Sequence, residues 1–229
     1  MGLYNREYSN TARVRTFENE TALINFVKTT YKFFAASLLL ATIGAIIGLF
    51  NFNIVMSNRW LFFIAEIAAF FGLMFTRNKP GLNIAMLFIF TTLSGVTLVP
   101  LLGFVISVRG LSAVWQALGM TTIVFAAMSI FALKTTKDLA NMGKMLFIAV
   151  IVVIIASIIN IFLGNSGFQL IIAGAATIIF SLMVAYDTQN IVRGLYASPI
   201  DAAVSLYLNF LNILISLLQI LGITGNNNR

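Results

Sequence analysis

The sequence predicts an all-α integral membrane protein with seven transmembrane helices. Three observations carry that reading. Of 229 residues, 60% are apolar and only 9% charged, with a mean hydropathy of +0.98. A soluble domain carries roughly 25% charged residues, so this inventory cannot make a water-facing surface. Seven stretches are apolar over about the 20 residues that cross about 30 Å of hydrocarbon. Lysine and arginine, finally, alternate between rich and poor connections in step with those stretches. A closed β-barrel would show roughly ten-residue segments of alternating hydropathy instead.

Taken in order, residues 1–30 form a polar tail carrying Arg6, Glu7, Arg13, Arg15, Glu18 and Glu20. A cleavable signal would put a short apolar core and a small-residue cleavage site within about the first 15–30 residues. None is evident, so the first span is expected to remain as an anchor. The spans are predicted at 31–50, 60–76, 82–107, 114–133, 145–163, 168–192 and 202–221, within a transmembrane domain of 31–222 and ahead of a polar tail at 223–229. In the first, Gly44 and Gly48 form a GxxxG, which lets helix backbones approach closely but is also common in membrane helices by chance. The third is long enough to bend, and Pro100 supplies the reason for a kink. No internal repeat is obvious, so an inverted-repeat transporter has no support.

Counting basic residues by side gives 11 on the side of the N-terminus and 3 on the other. The first set includes Lys28, Lys32, Arg77, Lys79, Lys134, Lys137, Lys144 and Arg193; the second is Arg59, Arg109 and Arg229. The positive-inside rule then places the N-terminus in the cytoplasm and, with seven spans, the C-terminus outside. The formal charge of +7 reflects these span ends, which face anionic lipid headgroups rather than nucleic acid.

Ionisable groups inside a membrane are costly, and each is a functional-site candidate. Glu66 lies near the middle of the second span. Arg77 follows eleven residues later, almost three helical turns, so both side chains share a face with about 16 Å of rise between them. Arg77 reads equally as a snorkelling residue beside Lys79. Asp187 sits about two turns inside the connection after span six. Ser198, Pro199 and Asp201 read as N-cap, N1 and N3 of the last helix, a capping role that accounts for Asp201. Asn209, about three turns into that helix, lies at a depth comparable with Asp187. Ser205, Asn209, Asn212, Ser216 and Gln219 are spaced 4, 3, 4 and 3, within an arc of about 80°. Such a stripe must face other helices or water. It serves either as interhelical hydrogen-bonding glue or as the wall of a wetted pathway. Both uses put the last helix inside the bundle.

Ala185-Tyr186-Asp187-Thr188-Gln189 and the run from Ser205 to Asn212 resemble the Bax inhibitor-1 family, also called the transmembrane BAX-inhibitor-motif family. Gly95-Val96-Thr97-Leu98-Val99-Pro100, Lys134-Thr135-Thr136-Lys137-Asp138-Leu139 and the pair Glu66 and Arg77 agree with it in order and spacing. The resemblance covers nearly all of residues 25–222. It implies six helices around a central seventh and a pH-sensitive calcium leak. In that family an aspartate pair on the sixth and seventh helices senses pH, and an arginine on the second latches to it. Arg77 matches the latch and Asp187 the first aspartate, whereas Asn209 stands where the second would be. Two carboxylates sharing a site cannot both ionise. Asp187 opposite a neutral amide lacks that repulsion, so a full pH switch near neutrality is not expected. The chain looks closest to the bacterial branch that contains YccA, a modulator of the membrane-anchored AAA protease FtsH.

Two functions therefore stand. One is a calcium or cation leak in the inner membrane, with Asp187, Asn209 and Glu66 along the pathway, Arg77 as latch, and hard oxygen ligands for calcium. The other is a regulator that binds a membrane-anchored AAA protease through its spans and tail. No cofactor is expected. Calcium enters only as a permeant ion, with Asp187 as its contact, and the standing partner is the lipid bilayer. Enzyme chemistry lacks its parts. Histidine and cysteine are both absent, which removes rhomboid-type serine proteolysis, thiolate nucleophiles and zinc hydrolysis. An aspartyl intramembrane protease needs two facing aspartates, and a retinal pigment would want a lysine in the last span.

Overall fold

In hydrocarbon every backbone N–H and C=O must be satisfied within the chain, and long helices are how this sequence does it. The computed structural model describes residues 20–226, and among these there is no strand. The chain runs through α1 (Glu20–Phe50), a short α2 (Phe52–Ser57), α3 (Arg59–Thr76), α4 (Leu82–Thr97), α5 (Val99–Arg109), α6 (Leu111–Lys134), a single 3₁₀ turn (Ala140–Met142), α7 (Gly143–Leu163), α8 (Ser166–Val192) and α9 (Pro199–Asn226). Seven of these units are long and apolar enough to cross a membrane, α4 and α5 together making the third. The large side chains left exposed, from Leu39 and Ile43 to Phe162 and Ile171, are those a bilayer would cover.

Two boundaries differ from the sequence expectation, and the expected kink at Pro100 is present. The first helix begins at Glu20 rather than near residue 31, because a helix has no need to stop at the hydrocarbon boundary, and Phe26 and Thr30 are already buried against the bundle. Residues 1–19 and 227–229 of the two expected tails lie outside the described residues. The last helix continues to Asn226. The third span is two helices joined at Leu98, since Pro100 in the first turn of α5 has no N–H to offer the carbonyl of Val96.

The spans are antiparallel in sequence. One end of the bundle, here the basic end, holds the start of α1 and the connections 77–81, 135–142 and 193–198. The core is assembled by close backbone approach. A methyl group added at Gly95 would lie 1.9 Å from the Ala41 carbonyl oxygen, and one at Gly44 would lie 2.2 Å from that of Thr92. Glycine is what allows α1 and α4 to touch along their backbones. Helix α9 is the most enclosed span, with Ala202, Ala203, Leu206, Ile213 and Leu218 fully buried. It packs chiefly against α1, α5, α6 and α8, while α3 and α7 lean on α4 and α8. The seventh helix is therefore central, with the second and fifth at the periphery.

Candidate functional site

Asp187 lies on α8 one and a half turns from its basic end and is 1% exposed. An unpaired carboxylate at that depth would be costly, and three neutral donors surround it. Asn209 Nδ2, from α9, donates to Oδ2 at 2.6 Å. The Ser205 hydroxyl, one turn earlier on the same helix, donates to the same oxygen. The Tyr196 hydroxyl, from the connection between the two helices, donates to Oδ1 at 2.7 Å. Gly194, with φ of 67°, makes the left-handed turn that lets this connection fold back over the site. Burial first, and then the neighbouring Asp187 charge, push the Tyr196 phenol far above its ordinary value, so it stays a donor.

The structure thus gathers Asp187, Ser205 and Asn209, as their spacing suggested. Arg77 does not join them. It caps α3 as an exposed residue, where its carbonyl accepts from Asn83 Nδ2 at 3.2 Å. Among the described residues the single ion pair is that of Arg193 with Asp138. Arg77 makes no contact with Asp187, and the group that reaches Asp187 from the connection between the two helices is Tyr196. Sequence reasoning missed Tyr196, whose signal was an aromatic in the short connection 194–198.

Glu66 forms a separate centre. Thr97, at the break in the third span, donates to Glu66 Oε2 at 2.7 Å. One turn earlier the Ser94 hydroxyl pairs with the hydroxyl of Tyr207. Tyr207 is on α9 between Ser205 and Asn209, 1% exposed, and reaches the opposite side of that helix. The central helix thereby holds Asp187 on one flank and the Glu66–Thr97–Ser94 group on the other. Beside Thr97 a cavity of about 230 Å³ opens between Arg59, Trp60 and Pro100.

The rest of the polar stripe divides by depth. Asn212 and Ser216 donate back to carbonyls one turn earlier, at 2.7 Å each. Gln219 Oε1 accepts from Gln169 of α8 at 2.9 Å, and Gln169 in turn accepts from Asn160 of α7 at 2.8 Å. Asn212, Ser216, Gln219, Gln169 and Ser157 line a cavity of about 430 Å³ between α7, α8 and α9. This cavity occupies the half of the bundle away from the basic end, and the stripe leads from it to Asn209.

The connection 135–142 is fastened beneath the site. Gln189, two residues beyond Asp187 and buried, accepts from the Leu139 N–H at 2.8 Å and donates to the Lys137 carbonyl at 3.0 Å. Arg193 pairs with Asp138. The N–H of Ala140, and then Arg193, hold the Asp138 carboxyl below the ordinary carboxylate range. Among the described residues no cluster of three His, Cys, Asp or Glu side chains forms. What the arrangement offers a cation is one carboxylate among neutral oxygens.

Fold and site together define a multi-pass, all-helical membrane protein with one buried carboxylate, Asp187, held against a central helix and a half-buried one, Glu66, on a peripheral span. Residues 23–226 match the family described as "Inhibitor of apoptosis-promoting Bax1", and the chain belongs to this Bax inhibitor-1 family. It is 68% identical over 224 residues to a Helicobacter pylori protein of uncharacterised role, covering 97% of each chain. It is 46% identical over 231 residues to the Campylobacter jejuni protein Cj0236c, covering 96% of this chain and 97% of the relative. With the Escherichia coli protein named "Modulator of FtsH protease YccA" it shares 36% identity over 168 residues, 72% of this chain and 76% of the relative.

Proposed function

We propose that this protein is a cation leak pathway of the bacterial inner membrane, with calcium as the preferred ion, its N-terminus cytoplasmic and its closed state held at Asp187. The observation that carries the reading is the division of the polar stripe. Its outer half lines the cavity between α7, α8 and α9. Its inner half, Ser205 and Asn209, closes on a buried carboxylate one and a half turns from the basic end. Hard oxygens from Asp187, Asn209, Ser205 and Tyr196 suit calcium. A single carboxylate among them suits a passing ion, which must leave as readily as it enters. Glu66, bonded to Thr97 on the opposite flank of the central helix, lies apart from this path.

Calcium flux in proteoliposomes tests this. Wild-type protein should conduct, and Asp187→Asn, which keeps shape and removes charge, should lower the preference for calcium over potassium. Equal fluxes in both proteins would overturn the role of Asp187, and no flux in either would overturn the pathway. Asn209→Asp would place two carboxylates together, and two carboxylates sharing a site cannot both ionise freely. Flux in that variant should acquire a pH dependence that the wild type lacks.

A second reading, favoured by the name of the Escherichia coli relative, is modulation of an FtsH-type AAA protease through the spans and the N-terminal tail. Deleting residues 1–25 should then weaken association with the protease and alter turnover of a model membrane substrate. Unchanged association and turnover would remove it.

A further inference from the structure

We propose that the groove between α1 and α6 is a binding site for one acyl chain of a phospholipid from the leaflet opposite the basic end, the outer leaflet in the orientation given above. The groove encloses about 400 Å³ and is floored by the central helix at Tyr207, Phe210, Leu211 and Leu214. Its walls are apolar. The two hydroxyls that reach it are already engaged, Thr42 with the Leu38 carbonyl at 2.8 Å and Tyr207 with Ser94. Few polar groups are left for water there, and water needs two to four partners.

Shape and continuity identify the occupant. Toward the basic end the groove is shut by three rings. Phe34 of α1 stacks on Phe125 of α6 with centroids 5.0 Å apart, and Phe210 of α9 meets them edge-on at 6.1 and 5.8 Å. From Leu38 to Leu49 the α1 wall rises about 16 Å, the half-thickness of a hydrocarbon core of about 30 Å. The same wall continues without a break onto the bilayer-facing surface of α1, where Leu39, Ile43 and Ile47 are exposed. Trp115, 67% exposed, stands on the α6 rim toward the open end. A slot closed at mid-depth and open at one headgroup level admits an acyl chain from that side alone.

The slot cannot simply collapse. Helix α1 is fixed to α4 by the backbone contacts at Gly44 and Gly95. Helix α6 is fixed by Ala113 and Ala117, both buried against its neighbours. Interiors are packed to crystal-like density, so a gap of this size bordering lipid is filled by lipid.

The test uses full-length protein in vesicles of phosphatidylethanolamine and phosphatidylglycerol. A small fraction of the lipid carries a photoactivatable diazirine on one chain, and adducts are mapped by mass spectrometry. A diazirine near the chain end should mark Phe210 and Leu211, which floor the groove. One near the headgroup should mark Leu49 and Trp115. Ala45→Phe, or Val114→Phe should the first disturb folding, fills the slot and should abolish the Phe210 and Leu211 adducts while those on Leu39 and Ile43 persist. Adducts confined to Leu39, Ile43 and Ile47 would overturn the site, as would a reversed depth order. No adduct in the groove from either probe would likewise overturn the proposal.

Discussion

Asp187 is a buried carboxylate whose immediate neighbours, Tyr196, Ser205 and Asn209, are all uncharged. Hydrogen bonds to charged groups contribute about 1.5–3 kcal/mol each. Losing the Tyr196 hydroxyl should therefore shift a closed–open balance by roughly tenfold or more. Tyr196→Phe is expected to raise basal ion flux by that order, whereas Arg77→Ala, which alters an exposed residue away from the cluster, should leave flux unchanged. Side-by-side flux measurements decide between them, and the opposite ranking would restore the arginine latch.

The contact between α1 and α4 depends on the absence of a side chain at Gly95, where a methyl group would meet the Ala41 carbonyl oxygen at 1.9 Å. Overpacking a tight interface costs typically 1–3 kcal/mol, and more where backbone must move. Gly95→Ala should lower the thermal unfolding midpoint in detergent. Gly119→Ala, with nothing within 4 Å of the added carbon, should not. The fastened connection 135–142 makes a pH prediction. Because folding holds the Asp138 carboxyl below its ordinary range, its contribution is present in full above the ordinary aspartate value of about 3.9. That contribution is lost as the pH falls through the lower folded value. Proteolysis within 135–142 should be constant from neutrality to about pH 4 and rise below it, and Asp138→Asn should be cleaved faster at neutral pH. A rate in that variant equal to wild type would show that Gln189 alone holds the segment.

Across the whole molecule, basic residues concentrate on one end of the bundle, and this sets the proposed orientation. The chain contains no cysteine, so single introduced thiols report topology without a background. Ser112→Cys should react with a membrane-impermeant thiol reagent in intact cells, and Thr136→Cys only after permeabilisation, both side chains being exposed. Reaction in the reverse order would invert the orientation and move the groove to the inner leaflet.

By itself the amino-acid order determined the helical class, the span count, the charge bias and the enclosure of the last helix. All of these follow from composition and from periodicity along a single segment. The stripe from Ser205 to Gln219 was legible because a helix converts spacing into a face. Which groups meet across helices depends on crossing and on connections, which no local pattern encodes. Tertiary structure alone therefore decided that Tyr196 folds back onto Asp187, that Arg77 stays outside, and that Tyr207 reaches Ser94. It also divided the stripe between a cavity and a carboxylate, and left an acyl-length slot between two helices that sequence separates by some sixty residues.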